Sequence, residues 1–294
     1  MKIRFGVSLG ADTGPEQLAA TVDRLEAADV DSLWFSELVY SKAVDPFIGM
    51  AFALSRTKRL KVGTSVAVLP GGRHPVLVAK QLAALAVLGP KRVLPAFGLR
   101  SALPREREIF TVPDGRRAAV FDESLQLVRA VLTGDDVDFT GEFFAVTGAG
   151  VGSRPATPLD IWLGGSAPAA FRRIGRFGDG WLGSFLTPAE AGRGRERIQS
   201  EAAEVGREIE PDHFGISLAV AEDGLAPELA AAARSRRPDI DPADLVAGSW
   251  DELHRQIDGY VAAGLTKFVI RPAGVTGVDE FVDRFVSELL PREN

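Results

Sequence analysis

The sequence predicts a (β/α)8 barrel with inserted segments. Three observations carry this reading. Eight short apolar, β-rich runs recur along the 294 residues, and each is followed by an amphipathic helical stretch. After the first run, Gly10-Ala-Asp-Thr-Gly14 stands where a doubly wound dinucleotide-binding sheet would carry G-x-G-x-x-G. No internal repeat or low-complexity linker divides the chain, so residues 1–294 are expected to form one domain.

The elements follow in order. Ile3 to Leu9 reads as strand one, and Pro15 opens a helix with Leu18, Val22 and Leu25 on one face. Ser32 to Phe35 is strand two, followed by a helix from Pro46 to about Ser55. Leu60 to Val68 is strand three; its helix starts at Pro75 and carries Val78, Leu82 and Leu85. Arg92 to Phe97 is strand four. A polar stretch from Leu99 to Arg116 interrupts the rhythm before a helix bearing Phe121, Leu125, Val128 and Leu132. Residues 134–158, with five glycines and two prolines, read as irregular. Ile161 to Leu163 is strand five, with a helix from Pro168. Gly180 to Ser184 is strand six, and Thr187-Pro-Ala-Glu190 spells a capping box. Phe214 to Val220 is strand seven, and residues 222–248 read as an inserted helix plus loop. Ser249-Trp-Asp-Glu252 is a second capping box, and Gly264 closes its helix. Lys267 to Ile270 is strand eight, and a last helix carries Phe281, Val282, Phe285 and Leu289.

The bulk properties narrow the function classes. Hydrophobic residues make up 46% and the net charge is −6 without a basic tract, which argues against nucleic acid or an anionic membrane as partner. With no cysteine, disulfides, thiolate metal sites and Cys nucleophiles are excluded. The three histidines are scattered, so no metal site is expected. No G-x-S-x-G elbow supports a serine hydrolase. The N-terminus turns polar too soon for a signal peptide and no 18-residue apolar run occurs, so a cytoplasmic location is expected.

In such a barrel the chemistry sits at the C-terminal strand ends. Ser65 is a hydroxyl among Val62, Val66 and Val68, just before the Pro70-Gly-Gly turn; a buried strand carries such a group when it bonds something. Gly164-Gly165-Ser166, between a strand and a helix, leaves N–H groups free at a positive helix end, which suits a phosphate. Arg271 could add a charge-assisted contact, or form a surface salt bridge. Thr187 could touch the phosphate or simply cap its helix. Glu37 at the end of strand two and His74 after the strand-three turn are candidate proton carriers. Their plainer alternatives are an ion pair for Glu37 and a solvent-facing helix start for His74.

Taken together, several motifs resemble those of the luciferase-like monooxygenase family, in the branch that uses the deazaflavin coenzyme F-420 or FMN. They are the strand-three tract with Arg73-His-Pro75, Leu88-Gly-Pro-Lys-Arg92, the helix from Arg116 to Gly134, and Val137-Asp-Phe-Thr-Gly141-Glu-Phe-Phe144. The most specific is Ile161-Trp-Leu-Gly-Gly-Ser-Ala-Pro168 followed by Gly178-Asp-Gly-Trp181; Gly248 to Ile270 resembles the closing helix and strand. The resemblance implies a cis Ser65–Val66 peptide bond in a bulge behind the cofactor ring. It implies cofactor contacts at Ser65, Val66, Gly98, Gly164, Gly165 and Ser166, with Thr187 and Arg271 assisting, and a homodimer. The implied activity is hydride transfer between the deazaflavin and a small organic substrate. The alternatives are an FMN-dependent monooxygenase or reductase, and a non-catalytic flavin-binding barrel. Two positions depart from the pattern: Leu38 replaces the family's His after strand two, and Gly98-Leu-Arg100-Ser101 lacks the acid that often follows strand four.

Overall fold

Ten parallel strand segments form eight staves, and the order of their pairing shows that the sheet closes on itself. The computed structural model describes residues 2–294 apart from Asp12, Ala102, Asp223, Val275 and Thr276. The first half holds β1 (Arg4–Ser8), α1 (Pro15–Ala27), β2 (Ser32–Phe35), α2 (Pro46–Arg56), β3 (Lys61–Thr64), β4 (Ala67–Val68), α3 (Pro75–Leu88), β5 (Val93–Leu94), β6 (Ala96–Gly98) and α4 (Arg117–Thr133). A hairpin of β7 (Val137–Thr140) and β8 (Ala145–Ala149) follows. The second half holds β9 (Trp162–Gly164), α5 (Pro168–Phe177), β10 (Gly180–Ser184), α6 (Pro188–Ala203), β11 (Phe214–Val220), α7 (Pro227–Arg236), β12 (Val246–Ala247), α8 (Trp250–Ala262), β13 (Lys267–Pro272) and α9 (Val278–Leu289).

The sheet runs β4-β6-β9-β10-β11-β13-β1-β2-β3-β5. β3 and β4 are two halves of one stave, as are β5 and β6. β3 pairs with β5 and β4 with β6, so the two ends of the path meet and no edge is left. Prolines at the first turn open α1, α2, α3, α5, α6 and α7, where the missing N–H costs nothing. Asp45, His74, Thr187 and Ser249 supply side-chain caps.

The barrel interior is packed around two tryptophans. Trp34, Ala96, Trp162, Leu182 and Val269 form its cluster, with the two indoles edge-on at 6.5 Å. Glycines make the room. A Cβ at Gly63 would lie 2.6 Å from the Trp34 ring, and one at Gly180 2.5 Å from that of Trp162. The apolar faces of the helices bury the outer strand face, including Phe5, Phe97, Phe214 and Phe268.

Four details differ from the expectation. Strand three breaks after Thr64 and strand four after Leu94. Residues 134–158 contain the β7–β8 hairpin rather than only irregular chain. Its turn is organised by Glu123 of α4, whose carboxylate accepts the N–H groups of Glu142, Phe143 and Phe144, a tether that the glycine count conceals. In the 222–248 insertion, β12 adds to β11. The Ser249 box is half formed: Ser249 accepts from Glu252 N, but the Glu252 carboxylate takes the Gly248 N–H instead. Among the described residues, no helix is long and apolar enough to cross a membrane.

The N-terminal end of the barrel is closed by charge. Asp31, 6% exposed, accepts from Lys61 Nζ and Lys267 Nζ, each at 2.7 Å. Burial alone would raise its pKa, but the two ammonium groups outweigh it and hold the carboxyl at about 2 instead of 3.8. The folded value lies below the unfolded one. The contribution is therefore complete above the unfolded pKa and is lost as pH falls from about 4 toward 2. Asp31→Asn would leave Lys267 buried without its counter-charge. It is expected to cost about 3 kcal/mol in urea unfolding at neutral pH, and the gap to wild type should shrink on acidification through that window.

Candidate active site

One layer of the barrel is nearly empty of side chains, and it lies at the C-terminal mouth. Side chains alternate along a strand, so residues two positions beyond the interior cluster face the same axis one layer higher. From Gly6, Trp34, Ala96, Trp162, Leu182 and Val269 this step leads to Ser8, Ser36, Gly98, Gly164, Ser184 and Arg271. Ala219 faces inward beside Arg271, its register partner. Except for Arg271, all are small. A packed barrel would fill this layer with branched residues; here it forms a shallow floor over the indoles.

Val66 reaches across that floor from the break in strand three. A Cβ on Gly98 would lie 2.6 Å from one Val66 methyl, and one on Gly164 would lie 3.2 Å from the other. The two glycines therefore accommodate the valine. The Ser65–Val66 bond is cis, as the resemblance implied. Ser65 N donates to Phe35 O at 2.8 Å and its carbonyl accepts the Ser36 hydroxyl at 3.1 Å. Both residues are half-buried.

Glu37 holds this segment rather than facing the mouth as a free acid. Its carboxylate is 4% exposed and accepts the Val68 N–H at 2.6 Å, while its other oxygen pairs with Arg73. Arg73 also pairs with Asp45 at 2.7 Å and lies 4.8 Å over the Phe47 ring. Asp45 in turn caps α2. Both oxygens of Glu37 are committed to the strand-three tract, and the ion pair weighed as its plainer alternative is present. His74 is exposed and caps α3, its Nδ1 accepting the Val76 N–H at 3.3 Å, with its ring edge-on to Phe144 at 5.4 Å. It is a solvent-facing helix start, and protonating Nδ1 would remove the cap.

Gly164, Gly165 and Ser166 run from β9 to α5. Gly165 has φ +126°, a conformation that glycine adopts readily, and its carbonyl accepts the Trp181 Nε1–H at 2.9 Å. The turn is thereby locked to β10. The N-cap of α5 is Ala167, with no side-chain cap, and Gly165, Ser166 and Ala167 are all exposed. An uncapped, accessible helix N-terminus presents N–H groups and a positive dipole end to an anion.

The other two expected phosphate contacts fare differently. Thr187 is consumed by its capping box: its N–H and hydroxyl both donate to Glu190 Oε2, at 2.8 and 3.1 Å, which leaves no donor for a ligand. Arg271 is separated from Gly165, because β13 is three strands from β9 in the sheet. At about 4.8 Å per strand that is roughly 14 Å, so one phosphate cannot bridge the two.

Other residues at the mouth escaped the sequence reading. Glu106 is fully buried; it accepts the Tyr40 N–H and the Ser101 hydroxyl, each at 2.7 Å, and fastens the 99–116 insertion to the loop after β2. Arg236 of α7 stacks over Phe185 at 4.7 Å. Neither sits in a motif, and only burial and proximity reveal them. Among the described residues, no cluster of His, Asp and Glu could hold a metal ion.

The comparisons with known proteins agree with this fold. A family model described as luciferase-like monooxygenase matches residues 1–237. An F-420-dependent glucose-6-phosphate dehydrogenase from Amycolatopsis mediterranei is 27% identical, covering 99% of this chain and 98% of that protein. The solved structure of an F-420-dependent secondary alcohol dehydrogenase with an F-420–acetone adduct aligns over 100% of both chains at TM-score 0.86 and 17% identity. The FMN complex of the oxygenating constituent of 3,6-diketocamphane monooxygenase from Pseudomonas putida aligns at TM-score 0.73 and 15% identity, over 100% and 99% of the two chains. At these identities the solved structures share the fold.

Glu37→Gln keeps an acceptor for Val68 but weakens the Arg73 pair. It is expected to lower stability by about 2 kcal/mol in denaturant unfolding. Unaltered stability would mean that the carboxylate does not hold the tract.

Proposed function

Because this chain belongs to the luciferase-like monooxygenase family, we propose that it is an oxidoreductase that moves a hydride between the deazaflavin coenzyme F-420 and a small organic substrate. The observation that carries this reading is the layer of small residues around Val66 at the C-terminal strand ends, flanked by an uncapped helix N-terminus. A planar ring with a phosphate-bearing tail fits that pairing. Ser65, Val66, Gly98 and Gly164 would support the ring, and the N–H groups of Gly165 and Ser166 would hold the phosphate. The Ser65 hydroxyl has no partner among the described residues and is free to bond the ring edge. When bound, the deazaflavin supplies the hydride acceptor or donor; the protein supplies position and a dry floor. With Glu37 and His74 engaged as positioning groups, protons exchange with water at the mouth. FMN is the second reading, since the same floor and helix end suit it and the fold is shared with an FMN-bound monooxygenase.

A homodimer and a cytoplasmic setting belong to the same proposal; the setting rests on analogy with the metabolic dehydrogenase it matches. The dimer is supported by an unpartnered apolar face on α2 and α3, which pack side by side. There Ile48 is 65% exposed, Leu77 60% and Leu88 71%.

Four outcomes are expected. In a fluorescence titration, coenzyme F-420 should bind saturably and more tightly than FMN. Ser166→Asp places a negative charge at the α5 N-terminus; it should weaken F-420 binding at least about tenfold, as a lost charge-assisted contact would, while the melting temperature stays level or rises because the helix dipole is favoured. His74→Asn keeps a good cap and should leave turnover within assay error, where loss of a proton carrier would cost about 10²-fold. The double change Leu77→Glu and Leu88→Lys should convert the dimer to a monomer in sedimentation velocity. A monomeric wild type, or a variant that still dimerises, would remove that assignment.

A further inference from the structure

Most partly buried arginines of this protein have carboxylate or carbonyl partners. Arg73, Arg129, Arg173, Arg207 and Arg237 each pair with Asp or Glu, and Arg92 donates to the carbonyls of Leu54, Thr57 and Leu60. Arg195, which lies over the Phe214 ring, and Arg271 are the contrasts, and of the two Arg271 is the one at the barrel mouth. It lies one layer above Val269 on the inward face of β13, beside the small Ala219, and no carboxylate or carbonyl of the described residues accepts from it. Arg236 stands at the rim above Phe185, which packs with Ala219, and it too has no acceptor among the described residues.

We infer that Arg271 and Arg236 form an anion subsite at the barrel mouth that receives a carboxylate or phosphate group of the substrate. The identification of that ligand as substrate rests on the hydride-transfer reading; the subsite itself does not. Two neighbouring guanidiniums with no acidic partner among the described residues repel one another, and an anion between them offsets that repulsion. Desolvation pushes the Arg271 guanidinium down from its ordinary value, and Arg236 adds to this; Arg236 is lowered in turn by desolvation and by Arg107. The row of like charges therefore continues into the 99–116 insertion. A guanidinium pair matches a planar or tetrahedral oxyanion through parallel N–H donors. The subsite is separate from the α5 N-terminus by three strands, so cofactor phosphate and substrate anion occupy opposite sides of the floor. The second arginine comes from α7, so the 222–248 insertion contributes to substrate selection.

The test uses inorganic phosphate as probe and thermal melting of the whole protein as readout, with chloride at equal ionic strength as control. Phosphate should raise the melting temperature saturably, and saturating coenzyme F-420 should not abolish the effect. Arg271→Gln or Arg236→Gln should weaken phosphate binding at least tenfold, whereas Ser166→Asp should not. Without anion, Arg271→Gln should melt at or above the wild-type temperature, because it removes an uncompensated cation. A lower melting temperature would mean that the protein itself satisfies Arg271 and would overturn the proposal. Loss of the phosphate effect in Ser166→Asp alone would assign the anion to the cofactor position and overturn it as well. Coenzyme F-420 binding without any phosphate effect would sink the subsite and leave hydride transfer standing. An Arg271-dependent phosphate effect without cofactor binding would uphold the subsite and sink the hydride reading.

Discussion

The mouth of this barrel depends on one buried carboxylate. Glu37 ends β2 and receives the N–H of Val68, so it ties the strand-two end to the far side of the break in strand three. Through Arg73 it also reaches Asp45 and the start of α2. A buried carboxylate must be satisfied, and here the groups that satisfy it come from three separate chain segments. The position of Val66, and with it the shape of the floor, follows from that requirement. A residue at the expected place for a proton carrier is thereby a strut of the strand-three tract.

The floor exists because volume is moved from one layer to another. Two indoles take up the middle of the barrel, which glycines at 63 and 180 permit, and the layer above is left to serines, glycines and alanine. Close packing is kept where stability needs it and given up where a ligand must enter. Gly98 and Gly164 show the same economy, since their missing side chains admit the Val66 methyls.

Charge is divided between the two ends of the barrel. At the N-terminal end, Asp31 is matched by Lys61 and Lys267. At the mouth, Arg271, Arg236, Arg107 and Arg100 have no acidic partner among the described residues, although the chain as a whole carries −6. Charges that stabilise a fold are paired by it, while unpaired ones mark places where a ligand brings the opposite sign.

The strand–helix alternation was legible because apolar period and helix-start prolines are local properties, and strands two, six and seven lie where the sequence puts them. The resemblance of Gly63 to Pro75 pointed to the cis Ser65–Val66 bond, though strand three reads as unbroken in the sequence, and that of Ile161 to Pro168 pointed to the glycine turn. The β7–β8 hairpin was hidden, because Glu123, which organises its turn, lies in the preceding helix. The sequence by itself determined the barrel, its caps and the small residues at the strand ends. Only the tertiary structure decided that Glu37 is clamped, that Thr187 is spent on its own helix, and that Arg271 lies three strands from the Gly164–Ser166 turn. Those are matters of which distant groups meet, and partners brought together by closing a sheet have no fixed spacing along the chain.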